Sequence, residues 1–66
     1  GRAQLAILDL RGRRIATLVD GELAAGAHAV VWDGHDSTGA ATASGVYLYR
    51  LTTNSGVATR RLTLVK

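Results

Sequence analysis

Apolar residues alternate with other residues in several short runs, and turn residues separate these runs. The first run covers residues 5–10 and is interrupted by Arg11-Gly12-Arg13. A tight hairpin needs a residue that accepts a positive φ, and Gly12 is that residue. The pattern therefore predicts a strand over 5–10, a hairpin turn, and a returning strand over 14–19 that ends at Asp20-Gly21.

The same kind of pattern continues to the last residue. Four further features follow in order: a strand that contains His28, Val30 and Trp32; a small-residue stretch over 40–44 that forms a short edge strand or an extended link; a strand over 46–53; and a strand over 57–66. Short strands without a helical period or a crossover helix predict an all-β fold. We expect residues 1–66 to form one small antiparallel immunoglobulin-like, fibronectin III-like β-sandwich.

The three aromatic residues of the chain lie at strand spacing. Trp32, Tyr47 and Tyr49 fall on alternating positions of two predicted strands, which is typical of a core. Tyr47 is the candidate for a tyrosine corner, in which the hydroxyl bonds back to the backbone. The alternative, a Tyr pair that stacks on a ligand, is less consistent with this spacing. The apolar positions with strand spacing give the following predicted core: Leu5, Ile7, Ile15, Leu18, Val30, Trp32, Tyr47, Tyr49, Leu62 and Leu64.

Composition limits what can stabilise this fold. A chain of 66 residues buries only about 60% of the surface that it exposes when unfolded, and it has no Cys for disulfides. The net charge of +3 comes mainly from Arg, which recognises nucleic acid, lipopolysaccharide or acidic protein patches. Since the arginines are scattered along the sequence, a solvated surface is favoured and no nucleic-acid partner is expected. No apolar run approaches the roughly 20 residues of a membrane span.

Residues 33–39 offer Asp, His, Ser and Thr side chains in one loop. A calcium loop requires oxygen ligands at alternating positions and a later Glu, whereas His35 stands in the second ligand position. Zinc would require more partners for His28 and His35 than this chain supplies. No Ser lies in a nucleophile elbow. We therefore expect Asp and Ser side chains that cap their own turns, and no enzymatic activity, catalytic residue, metal or cofactor.

Four segments together resemble a known family. They are residues 7–18 with a Gly-Arg turn, Ala25-Gly26-Ala27-His28, Trp32-Asp33-Gly34, and residues 45–51 with a Gly-x-Tyr element. In this order they resemble the FlgD-type immunoglobulin-like domain over nearly the whole chain. That family includes a domain of flagellar hook-capping proteins, and similar modules close many secreted bacterial proteins. The resemblance implies a non-catalytic C-terminal module of a larger protein that is secreted or held at the bacterial surface.

The basic and then aliphatic ending is similar to type IX secretion C-terminal sorting domains. In those domains the outer-membrane machinery reads the module. The resemblance implies a parent passenger domain and the secretion machinery as partners. The candidate sorting tail consists of Arg60, Arg61, Leu62, Leu64, Val65 and Lys66.

Members of the family usually have a further strand upstream of the run at 5–10, and this chain begins almost directly at that run. We therefore expect a sandwich without its first strand and an unpaired edge beside residues 5–10, which would template strand addition. A structural subunit that assembles into homo-oligomers by strand addition is accordingly the alternative function. A basic binder of nucleic acid or anionic glycan is a third and weaker class.

Overall fold

The computed structural model describes residues 1–22 and 30–65. Four strands form one antiparallel sheet in the order β2-β1-β3-β4. Their bounds are Arg2–Leu8 for β1, Arg14–Glu22 for β2, Gly45–Thr53 for β3 and Gly56–Leu64 for β4. The described residues contain no helix. The predicted all-β antiparallel class is therefore confirmed.

The predicted hairpin joins β1 to β2. The N–H of Gly12 donates to the carbonyl of Asp9 at 3.0 Å, and the φ of Gly12 is +87°. The Asp9 carboxylate accepts the N–H groups of Arg11 and Arg13, each at 2.9 Å. Asp9 and Gly12 together fix the turn, because one supplies acceptors for the turn N–H groups and the other adopts the left-handed φ. Leu10 lies in this turn and is exposed, so β1 is shorter at this end than predicted.

β1 occupies a central position in the sheet. It pairs with β2 from Arg2 to Leu8 and with β3 from Ala3 to Leu8. The expected unpaired edge beside residues 5–10 is therefore wrong, since both edges of this strand are hydrogen-bonded. The outer strands of the sheet are β2 and β4.

β2 departs from strict alternation at two bulges. Its register against β1 shifts between Leu5 and Ala6 and again between Ile7 and Leu8. The unpaired residues of β2 at these shifts are Leu18 and Ile15, which explains why its apolar residues do not follow a period of two. The carbonyl of Ile15 accepts the N–H of Ser37 at 3.0 Å and its hydroxyl at 3.3 Å. The loop at 33–42 is thus hydrogen-bonded to the edge of the sheet at the bulge that contains Ile15.

The remaining strand predictions are corrected in three places. Asp20-Gly21 does not end β2, because these residues pair with Gln4 and Ala3. Residues 30–32 are irregular, while the earlier part of the strand predicted around His28 lies outside the described residues. The stretch at 40–44 forms only an isolated bridge, between Ala41 and His35.

Burial is concentrated on the central strand. The buried apolar residues are Ala3, Ala6, Ile7, Leu8 and Ala16. The buried residues of β1 include Ala6 and Leu8 on one face of the sheet and Ala3 and Ile7 on the other. β1 is therefore covered on both faces in addition to being paired along both edges.

Most of the predicted core is only partly covered. Of that set, Ile7 is 1% exposed, whereas Val30 is 43% exposed and is not the core residue that was expected. Val30 precedes the loop in an irregular segment, so no strand directs it inward. The other predicted core residues are half-buried: Leu5, Ile15, Leu18, Trp32, Tyr47, Tyr49, Leu62 and Leu64.

Candidate functional site

The predicted sorting tail forms most of an edge strand. Arg60, Arg61, Leu62 and Leu64 belong to β4, and Val65 directly follows it. Lys66 lies outside the described residues. The tail is therefore part of the sheet, and a partner that reads it must read a folded strand or first release it from β3.

β4 is paired on one side within the described part of the chain. Its nine residues pair with β3 from Gly56 to Leu64. Residues 56–61 are all exposed, and only Leu62 and Leu64 are half-buried. An edge strand of this kind presents backbone N–H and C=O groups that can pair with another strand.

The adjacent residues Arg60 and Arg61 lie on opposite faces of the sheet. Arg60 pairs with Tyr49 and Arg61 pairs with Leu48, and successive residues of a strand point to opposite sides. Arg60 is therefore on the face that carries the aromatic residues. Arg61 is on the other face, which we call the arginine face.

Three arginines from three strands meet on the arginine face. Along one row of paired residues, Arg14 lies opposite Leu8, Leu8 opposite Leu48, and Leu48 opposite Arg61. In the next row of that face, Arg50 lies opposite Ala6. Arg14, Arg50 and Arg61 are all exposed. Within residues 1–22 and 30–65, none of these three guanidinium groups forms a salt bridge.

The carboxylates of β2 are engaged at the far end of the sheet. Asp20 accepts a bond from Arg2 at 3.2 Å, and Glu22 lies 3.9 Å from the amino group of Gly1. Both acidic residues are several positions along β2 from Arg14. The arginine face therefore keeps its positive charge at the end near the β1–β2 hairpin.

The opposite face carries an apolar groove of about 640 Å³. Leu5, Tyr49 and Leu62 are among its lining residues, and Trp32 reaches it from the irregular segment at 30–32. The ring of Trp32 meets the ring of Tyr47 edge to face, with 5.1 Å between ring centroids. The Tyr47 hydroxyl donates to the carbonyl of Ala43 at 2.5 Å, which confirms the predicted tyrosine corner. Trp32 and Tyr47 therefore pack against each other on this face, and Tyr49 lines the groove.

The loop at 33–42 is held by its own side chains, as predicted for Asp. The Asp36 carboxylate accepts the Thr38 hydroxyl at 2.6 Å and the N–H groups of Thr38 and Ala40 at 2.9 and 3.0 Å. Asp33 accepts the N–H of His35 at 3.0 Å. Ser37 differs from the expectation, because it bonds to β2 rather than within its own turn.

These hydrogen bonds favour the charged carboxylates. The Thr38 hydroxyl bond is the main reason that the pKa of Asp36 is lowered from 3.8. The backbone N–H of His35 is the main reason that the pKa of Asp33 is lowered from the same value. The carboxylates of Asp33 and Asp36 are thereby held in their charged form by hydrogen bonds within the loop. Across the described residues, no three His, Asp or Glu side chains are grouped as metal ligands would be.

The family assignment rests on most of the chain. A model of the FlgD Ig-like domain matches residues 1–56. The chain belongs to the FlgD Ig-like domain family. The FlgD Ig-like match ends at Gly56, the first residue of β4, so the candidate tail lies beyond the matched part. No curated protein and no solved structure matches the chain. No helix among the described residues has the length and apolarity to cross a membrane.

Sequence reasoning did not foresee the arginine face of this FlgD Ig-like domain. Arg14, Arg50 and Arg61 are far apart in the sequence, and only strand order and register bring them together. The residues next to each arginine in the sequence give no signal of this grouping, because the register of three strand pairs decides which residues share the face.

Proposed function

We propose that this FlgD Ig-like domain is a non-catalytic module that directs the secretion or surface attachment of a larger extracellular bacterial protein. The sorting tail, carried on β4, is the part that the secretion machinery reads. The observation that carries the proposal is the exposure of β4 along residues 56–61 at the edge of the sheet.

An edge strand suits recognition for a physical reason. A partner can add a strand to β4 through main-chain hydrogen bonds and gain specificity from alternating side chains. Arg60 and Arg61 offer one guanidinium on each side of that strand. Arg forms bidentate contacts with carboxylates, so a partner with acidic groups flanking its own strand would fit this arrangement.

Export of a reporter tests the sorting role. The domain is fused behind a periplasmic reporter in a bacterium with type IX secretion machinery, and surface reporter is measured by protease accessibility. We expect the wild-type fusion to reach the surface and the double variant R60Q/R61Q to remain in the periplasm. Circular dichroism of the purified double variant checks that the sheet is retained. We expect it to be retained, because exposed arginines contribute little to stability.

The matched control is R11Q/R13Q, which removes the same charge from the exposed hairpin at the far side of the sheet. It should be exported like the wild type. Deletion of residues 60–66 should also stop export, although it additionally removes the pairing of Leu62 with Tyr47. Surface reporter that is unchanged by both the double variant and the deletion would refute the sorting role.

Strand addition between copies is a second candidate function, favoured by the same edge of β4, which no other described strand pairs with. It would make the domain a structural subunit that assembles through β4 rather than through the paired strand β1. Sedimentation over a range of concentrations should then show dimers or larger species. V57K should weaken them, because a charge on an exposed edge strand opposes pairing with a basic copy.

Val65 supplies the matched control for this experiment. Val57 and Val65 are 63% and 82% exposed, but only Val57 lies within β4. V65K adds the same charge beyond the strand and should leave association unchanged. A wild-type domain that sediments as a monomer at every concentration would exclude self-assembly.

A further inference from the structure

We propose that the arginine face binds an acidic polysaccharide. Arg14, Arg50 and Arg61 supply the cationic groups, and these three exposed residues lie on β2, β3 and β4 on the face of the sheet opposite the aromatic residues. The site shares Arg61 with the sorting tail, but it lies across one face of the sheet rather than along the edge of β4.

The spacing of the charges suits an extended anion. Arg14 and Arg61 are three strand steps apart in one row, which is about 14 Å at the usual distance between strands. Arg50 belongs to the next row, on β3 between them. A chain with repeated carboxylates that runs across the strands can meet these groups in succession. Each guanidinium can form a bidentate pair with a carboxylate.

Charge complementarity is supported by the placement of the acidic residues. Asp20 is paired with Arg2, and Glu22 lies beside the amino terminus, both at the other end of β2. Asp9, next to the hairpin, accepts two backbone N–H groups. Asp33 and Asp36 lie beside Thr17 of β2, and their carboxylates accept hydrogen bonds within their own loop. An incoming anion would therefore meet three arginines that form no salt bridge with a described carboxylate.

The other polar groups favour a sugar polymer over a nucleic acid. Thr59 lies opposite Arg50, and Thr52 lies opposite Gln4 on the same face. Their hydroxyl and amide groups can both donate to and accept from sugar hydroxyls. Single-stranded nucleic acids need aromatic platforms for their bases. Tyr47 and Tyr49 are on the opposite face, and Trp32 packs against Tyr47 there.

Binding to polygalacturonate, a polymer of carboxylated sugars, tests the proposal by calorimetry with the full chain. We expect R61Q and R50Q each to weaken binding roughly fivefold, the size of one exposed charge contact. Binding should be lost at about 1 M salt, where the screening length is about 3 Å. Neutral dextran should not bind.

R60Q is the decisive control. Arg60 adjoins Arg61 in sequence and its removal changes the net charge equally, but it lies on the aromatic face. It should leave the affinity within about twofold of the wild type. Equal weakening by R60Q and R61Q would show attraction by net charge alone and overturn the proposal. Absence of binding, or tighter binding to poly-L-glutamate or to a single-stranded oligonucleotide, would overturn it as well. None of these outcomes depends on reporter export.

Discussion

Tyr47 performs two tasks with one side chain. Its hydroxyl bonds to the carbonyl of Ala43 just before β3, and its ring receives the edge of Trp32. The first contact fixes how the chain enters β3. The second contact joins the sheet to the irregular segment at 30–32, which contains Trp32. The two tasks can be separated by substitution, because Phe keeps the ring and removes the hydroxyl.

Y47F should lower the free energy of unfolding by about 1 kcal/mol, the usual net value of one hydrogen bond. Urea denaturation followed by Trp32 fluorescence measures the change. Y49F is the matched control, since the described residues give the Tyr49 hydroxyl no hydrogen-bond partner. A loss as large in Y49F as in Y47F would contradict the assigned corner.

Asp36 links stability to pH. Its pKa is lowered in the fold, mainly by the Thr38 hydroxyl, so folding favours the charged form. The resulting stabilisation is complete above the ordinary Asp pKa of 3.8 and is lost as pH falls through the lower folded value. The urea midpoint of the wild type should therefore fall between about pH 5 and pH 2. D36N should show a smaller fall, and an identical pH profile would contradict this role.

At the scale of elements, the sequence predicted those features that depend only on residues near one another in the chain. The Gly12 turn follows from conformational preference, and the alternation at 46–53 follows from the inward direction of every second residue. The extension of β2 through Asp20-Gly21 could not be read in the same way. By intrinsic preference Asp and Gly favour turns over strands, but pairing with Gln4 and Ala3 of β1 keeps these two residues in β2.

G12A tests the turn. The φ of Gly12 is +87°, and no atom lies within 4 Å of an added Cβ, so the cost comes from the backbone alone. We expect a loss of about 1–2 kcal/mol in urea denaturation. G12N should lose less, because Asn tolerates left-handed conformations. Equal stability of G12A and the wild type would contradict the requirement for glycine at this position of the turn.

The two candidate sites differ in how well the sequence alone could predict them. The tail at 60–66 is contiguous in the sequence, so its residues could be named before its strand was known. The arginine face depends on pairing between β1 and its two neighbours. Adjacent arginines look like one basic cluster in the sequence, yet the pleat separates Arg60 from Arg61. Register decides which charges share a surface.

For the whole molecule, one side chain from the irregular segment at 30–32 packs against the aromatic face of the sheet. Trp32 contacts Tyr47, lines the groove and donates to the carbonyl of His35 at 3.0 Å. W32A should cost about 3–5 kcal/mol. A domain of this size has a total stability of about 3–10 kcal/mol. The expected loss is a large fraction of that total. Urea denaturation followed by circular dichroism should therefore show a much lower midpoint for W32A, whereas V31A, at an 89% exposed position, should keep the midpoint of the wild type.

β1 is the first strand in the chain and also an inner strand of the sheet. Its pairing with β2 is local, and so is the pairing of β3 with β4, but Leu8 must find Leu48 across the whole intervening chain. Such a contact closes a long loop and raises the contact order, which slows folding. The two hairpins can form early and separately, and their docking along β1 and β3 is the step that we expect to limit the rate. A nascent chain would therefore carry one edge of β1 without a hydrogen-bonded partner until β3 has been synthesised.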